Sequence, residues 1–199
     1  GLIEPEQVRR SRHGFIAEML SGSTTATYPV TASSGRTCPA AQLRAHPGFE
    51  SGRTGWTTSS TLGFDPITND SGQAAHGGSY KAWFNGNGST DTDTVAQAVT
   101  IPTGCHATLT YWQHIDTTEN TTTAKPDTFK VQVLNSSGTV LATLATFSNL
   151  DKNTGYAQKS YDLSAYAGQT VTVKWTGAET DANGGTTNFV IDDTAVQSS

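Results

Sequence analysis

A chain of 199 residues has room for one hydrophobic core, or for one domain with an appendage. Only 34% of it is hydrophobic and 15% charged, the balance running to Thr, Ser, Gly and Asn, which suits an all-β extracellular protein better than a helical cytosolic enzyme. The net charge of −5 speaks against a phosphate-backbone ligand, which needs a basic face, and no run reaches the roughly 18 apolar residues of a membrane span.

Charge divides the chain. All six arginines (Arg9, Arg10, Arg12, Arg36, Arg44 and Arg53) lie in residues 1–53, with four glutamates. All six lysines lie from Lys81 onward, and residues 54–199 carry them against thirteen acids. Residues 3–20 carry a helical pattern: Pro5 suits a first helical position, Glu4 and Glu6 the positive end of the dipole, and Val8, Phe15, Ile16, Met19 and Leu20 form an apolar stripe. This segment, 1–20, is a docking helix, the remnant of a preceding domain, or an opportunistic extension. It lacks the apolar h-region of a secretory signal, so the chain is expected to be a processed product or a piece cut from a longer one. Residues 21–46, rich in Ser, Thr and Ala, are expected to be a linker.

From residue 47 to 199 the pattern is one of short strands between turn residues. Residues 79–84 form a strand closed by Asn85-Gly86-Asn87-Gly88, and 95–101 one stopped by Pro102. Residues 109–115 follow, then a polar loop over 116–127, then strands at 129–133 and 140–144 around a Ser136-Ser137-Gly138 turn. Residues 161–163 precede a turn at Tyr166-Ala167-Gly168-Gln169. The strand 171–175 is expected to pair with a closing strand, 188–196. About eight strands with one apolar face each predict a two-sheet antiparallel jelly-roll sandwich. Cys38 and Cys105 are either two buried thiols or one disulfide, and the secreted type of composition favours the disulfide.

The closing strand runs directly into Asp192 and Asp193. Buried unpaired carboxylates are costly, so these two must face water or meet a cation.

Several segments, in this order, resemble one family. They are Gly48-Phe49-Glu50-Ser51-Gly52 with Gly55-Trp56, then Ala75-His76-Gly77-Gly78-Ser79-Tyr80-Lys81-Ala82-Trp83. They continue with Val99-Thr100-Ile101-Pro102-Thr103-Gly104, with residues 166–173, and with Phe189-Val190-Ile191-Asp192-Asp193. Together they resemble the jelly-roll C-terminal accessory domains of secreted bacterial peptidases and, more distantly, carbohydrate-binding modules and MAM-like domains. The resemblance covers residues 47–197. It implies a secreted, non-catalytic module appended to a hydrolase, with structural calcium. Carried over, the calcium site falls on Glu50 with Asp192 or Asp193, and on backbone carbonyls near Ser79 and Lys81. Calcium takes six to eight oxygens from carboxylates, carbonyls and water, and such a set fits.

A second set of acids, Asp91, Asp93, Asp116, Glu119, Asp127, Glu179 and Asp181, lies in expected loops and rims. Paired carboxylates at suitable separation cleave glycosidic bonds, so a small hydrolase is the alternative reading. Solubilising acids or a second calcium site are the plainer ones. Motifs for a serine nucleophile, a zinc peptidase and a phosphate cradle are absent. Of the tryptophans, Trp175 shares its face with Val171 and Val173 and is expected in the core, whereas Trp112 lies opposite Tyr111 and Ile115, beside His114, and is expected outside. The ligand-binding candidates are therefore Trp112, His114, Asp116, Glu119, Asp91, Asp93 and Glu179. The expected function is a monomeric module that binds a polysaccharide or protein polymer, or supports an adjoining catalytic domain; a structural adhesion domain is a further alternative.

Overall fold

The computed structural model describes residues 38–180 and 184–199, so the expected N-terminal helix, most of the expected linker, and Asp181 lie outside the described residues. Eleven strands are described: β1 (Ala41–Gln42), β2 (Thr57–Ser60), β3 (Ile67–Thr68), β4 (Lys81–Asn85), β5 (Asp91–Thr100), β6 (Ala107–Thr117), β7 (Thr128–Leu134), β8 (Val140–Ser148), β9 (Ala157–Asp162), β10 (Thr170–Glu179) and β11 (Thr187–Ser198). They form two antiparallel sheets, one ordered β3-β4-β11-β6-β9 with β1 also on β11, the other β2-β5-β10-β7-β8. This is an all-β sandwich of the jelly-roll class.

The expected pairing of residues 171–175 with the closing strand is corrected by this topology: β10 lies between β5 and β7, and β11 lies in the opposite sheet. β10 alternates in burial, whereas β11 is buried on both faces from Phe189 to Asp192, and neither pattern says which neighbour a strand takes.

Alternation builds the core. The odd positions of β6, from Ala107 to Ile115, are buried and the even ones half-buried. Phe84, Phe129 and Phe189 bridge the two sheets, Phe129 lying edge-on to Phe84 at 5.0 Å and stacked on Phe189 at 5.3 Å. Trp175 is fully buried, edge-on to Tyr111 at 5.6 Å and near Trp56 at 6.3 Å. Burying a large side chain of this kind stabilises by roughly 1.5–3 kcal/mol, which makes these rings the main adhesive between the sheets.

The sandwich also takes in the end of the expected linker. Ala41 and Gln42 pair with Ser198 and Gln197 of β11, Leu43 N–H donates to the Val196 carbonyl, and Leu43 packs on the core. A disulfide joins Cys38 to Cys105, with Cα atoms 5.4 Å apart. Polar composition hid this segment, because its strand is two residues long.

Candidate functional site

The first site is built around a fault in β11. Between Asp192 and Ala195 the register against β6 slips by one residue, a β-bulge, and Asp193 sits at φ +45°. Before the bulge Phe189 and Ile191 face the core while Val190 and Asp192 face outward; after it Val196 is in the core. On the same edge of β11, Thr194 N–H and its hydroxyl both donate to the Pro47 carbonyl at 3.0 Å, which brings the chain before Glu50 to the bulge.

The loop of residues 69–80, between β3 and β4, folds over this outer face. Asp192 Oδ2 accepts the N–H groups of His76 (2.8 Å) and Gly77 (3.0 Å), and its Oδ1 that of Asp193 (2.7 Å). Glu50 Oε1 accepts Ser79 N–H (3.0 Å) and Tyr80 N–H (2.8 Å), and Asp193 Oδ2 meets His76 Nδ1 at 2.6 Å. The three expected carboxylates therefore converge on one loop. Two glycines permit it: a Cβ on Gly77 would lie 2.7 Å from Asp193 Oδ2, and one on Gly78 2.5 Å from the Glu50 carboxyl.

Within this junction the roles differ from residue to residue. Asp192 is fully buried, and burial pushes its carboxyl up to about 6 against the pull of its three N–H partners. Lys81 is buried too, its ammonium donating to the Asp70 carbonyl. Burial lowers its pKa, opposed by the Asp70 and Asp192 carboxylates. Asp192 thus has its oxygens directed at N–H groups and anchors the loop, whereas Glu50 and Asp193 are exposed and better placed to offer lone pairs to an ion. Among the described residues no group of three or more His, Cys, Asp or Glu side chains is disposed to hold a metal. An all-oxygen ion such as calcium would need backbone carbonyls and water besides Glu50 and Asp193.

Beside the junction lies an aromatic and polar patch on the same outer face. Trp112 is half-buried rather than fully exposed, because His76 stacks on it with ring centroids 4.1 Å apart. Tyr156 packs edge-on to His76 at 5.3 Å and donates its hydroxyl to the Ala74 carbonyl at 2.7 Å. Burial, with the carboxylates of Asp192 and Asp193, pushes Tyr156 up, so it stays a hydroxyl. His114 lies 3.6 Å from Asp116 Oδ2. Asp116 accepts Gln73 Nε2 and Asn188 Nδ2, and Asn188 in turn accepts Trp83 Nε1 at 2.9 Å. Trp112, His114 and Asp116 thus share one surface.

The other candidates do not join that surface. Asp91, Asp93, Glu119 and Glu179 are 1–6% exposed, and Asp127 is fully buried. Alternation on β5 and β10 turns Asp91, Asp93 and Glu179 into the sandwich, and backbone N–H groups receive them: Asn85 donates to Asp93, and Asn87, Gly88 and Thr187 to Glu179. Burial pushes both Asp93 and Glu179 up, opposed by those same hydrogen bonds. Asp91, Asp93 and Glu179 are strand residues rather than loop acids, because β5 begins at Asp91 and β10 runs on to Glu179, while Glu119 is buried within its loop.

Solved structures supply the comparison. A family 61 carbohydrate-binding module in complex with β-1,4-galactotriose aligns with a TM-score of 0.54 at 16% identity, over 78% of this chain and 97% of that one. The K3 cleaved adhesin domain of Lys-gingipain from Porphyromonas gingivalis aligns with a TM-score of 0.51 at 14% identity, over 75% and 95%. The fold is shared with carbohydrate-binding and adhesin modules. At these identities the likeness is one of fold, and no family model or curated relative matches the sequence.

Two further residues hold this architecture together and carry little signal in the sequence. Arg44, in the expected linker, is 5% exposed, its guanidinium 4.6 Å from the Trp56 ring and 4.8 Å from that of Trp175. Its Nε donates to Gln97 Oε1, and burial lowers its pKa to about 9, still protonated at neutral pH. His76 links the junction to Trp112, meeting Asp193 through Nδ1 and stacking on the indole. Its only sequence signal was its place within the glycine-flanked segment 75–83.

Proposed function

We propose that this chain is a non-catalytic, secreted binding module, stabilised by calcium at Glu50 and Asp193, that takes a polysaccharide or protein polymer on the outer face carrying Trp112 and Tyr156 and accompanies a hydrolase such as a peptidase. The observation that carries the reading is the coupling of the loop at residues 76–80 to both features: its backbone is held by Glu50 and Asp192, and its His76 stacks on Trp112. Aromatic faces pack on the apolar faces of sugar rings, and the neighbouring Trp83–Asn188–Asp116 hydrogen-bond chain offers partners suited to hydroxyl groups. The shared fold with carbohydrate-binding modules supports a polysaccharide first. The burial of Asp91, Asp93, Glu119 and Glu179 favours binding over a carboxylate-based hydrolase, since general acids must reach their substrate.

The test is retention of the chain on a panel of insoluble glycans and on collagen-like and casein matrices. Wild type is expected to be retained on at least one, and Tyr156→Ala and Trp112→Ala to elute early while keeping a cooperative melt. No retention on any matrix, or retention unaffected by both substitutions, rejects the site.

A further inference from the structure

The interior of the sandwich holds a second oxygen-rich site, separate from the Glu50 junction. Asn85 pairs with Asn188, four residues along β11 from Asp192. Alternation along β4 would turn Asn85 outward, as Trp83 is. Its backbone instead adopts φ +61°, and its side chain reaches inward to the opposite sheet. There it lies over Gly177, where a Cβ would be 2.3 Å from Asn85 Oδ1. The residue paired with Gly177 on β5 is Asp93, whose Oδ2 accepts Asn85 N–H at 2.7 Å.

Two oxygens are left without donors. Asp93 Oδ1 and Asn85 Oδ1 are both buried, in side chains 3% and 5% exposed, and neither has a hydrogen-bond partner among the described residues. Asp91, two residues along the same inward face and 1% exposed, adds a second carboxylate; burial pushes Asp93 up, Asn85 N–H and the Ser60 hydroxyl pull it down, and Asp91 adds to the upward push. Asp91 Oδ2 accepts Asn87 Nδ2 at 3.0 Å, and its Oδ1 accepts the Thr61 hydroxyl at 2.6 Å, Leu62 N–H at 3.2 Å and the Ser60 hydroxyl at 3.5 Å, so Asp91 contributes charge to the site while the open oxygens are those of Asp93 and Asn85. The ion pairs among the described residues, Arg53–Asp65, His76–Asp193 and His114–Asp116, leave both carboxylates without a cation. Buried acceptors that face no donor are costly, and more so when charged. Paired buried carboxylates are neutralised by a proton or by a bound ion.

We propose that Asp93 and Asn85, with Asp91 beside them, form a buried site for a hard divalent cation, calcium by its ligand chemistry. The donors are carboxylate and amide oxygens, which calcium accepts in irregular arrangements and completes with carbonyls or water. Gly177 gives the amide oxygen its room, and any side chain there would fill the cradle. The ion would tie β4 to β5, joining the two sheets across the interior. This site stands independently of the calcium reading at Glu50.

Calorimetric titration of chelator-stripped protein with calcium chloride decides it. Wild type is expected to bind at two sites. Asp93→Asn should weaken one of them at least tenfold and leave the other, Glu50→Gln should do the reverse, and Asn85→Asp, which adds a charge to the donor set, should tighten the first about tenfold. Asn85→Ser removes the amide oxygen while keeping both carboxylates, and it reads the same loss if Asp93→Asn does not fold. A single calcium site that vanishes in Glu50→Gln and is untouched by Asp93→Asn overturns this proposal and leaves the Glu50 reading standing. Binding lost only in Asp93→Asn does the opposite. If Asn85→Asp binds no calcium and regains its stability on acidification, the two oxygens share a proton or the amide is turned round, and the cation is rejected.

Discussion

Glu50 rests against the backbone of Gly78: a Cβ at that glycine would lie 2.5 Å from the Glu50 carboxyl carbon, and Gly78 has φ +61°. Both space and conformation require glycine there. Gly78→Ala should lower the unfolding free energy by about 1–3 kcal/mol, from left-handed strain plus the displaced carboxylate, read as a lower urea midpoint at unchanged slope.

Calcium bound at Glu50 and Asp193 would stabilise only the folded state. At a calcium concentration about 100 times the dissociation constant, the gain is roughly 2.7 kcal/mol, or a melting shift of roughly 5–10 °C for a domain of this size. In an Asp93→Asn background, which leaves the junction as the calcium site, chelator should remove that shift, and adding Glu50→Gln should leave the melt largely unmoved by chelator. An unchanged wild-type melt in chelator would count against the junction as a metal site.

The Cys38–Cys105 bond closes a loop with a sequence separation of 67. On the chain-entropy account, Cys38→Ala with Cys105→Ala should cost about 4 kcal/mol. Because β1 is only two residues long, the exchange of backbone amides at Ala41–Leu43 should accelerate more than that of β10.

Arg44 lies against two indole faces, a geometry that a flat guanidinium fills and an ammonium does not. Arg44→Lys should destabilise by about 1–2 kcal/mol in denaturant titration, whereas Arg44→Met, which keeps the packing and removes the buried charge, should cost less.

Asp162 accepts the N–H and hydroxyl of Ser164, and these bonds, with His106 adding to them, hold its carboxyl below the ordinary aspartate value of 3.8. A depressed folded pKa means that the unfolded chain takes up the proton first as acid is added. The stabilisation is therefore complete above about pH 4 and is lost as the pH falls through the folded value. Asp162→Asn should flatten the decline of the thermal midpoint below pH 4 without changing its value at pH 7 by more than the loss of the bond.

The fold was legible because it rests on periodicity. Val171, Val173 and Trp175 alternate with polar residues in the sequence and are buried in the structure, and the same holds across β6 except at Trp112 and Gln113, where the polar residue is the inward one. The convergence of Glu50 with Asp192 and Asp193 came from the resemblance rather than from spacing, and the structure brings all three to the loop at residues 76–80. Burial of the loop acids was not legible, because a charged residue at a strand end has the same pattern as one in a turn. Asp91 and Glu179 are paired across β5 and β10, a contact between residues 88 positions apart.

What the sequence by itself determined is which residues of each strand face inward, since side chains alternate along an extended backbone whatever its neighbours are. It also determined the polar, Thr- and Ser-rich composition and the two cysteines available for a bond. Tertiary structure alone decided which strands are neighbours, that Asn85 turns inward at φ +61°, and that the bulge after Asp192 brings one aspartate under a loop and leaves the next outside. Those outcomes depend on contacts between separate segments, at the bulge between residues as distant as His76 and Asp192, and no local pattern encodes them.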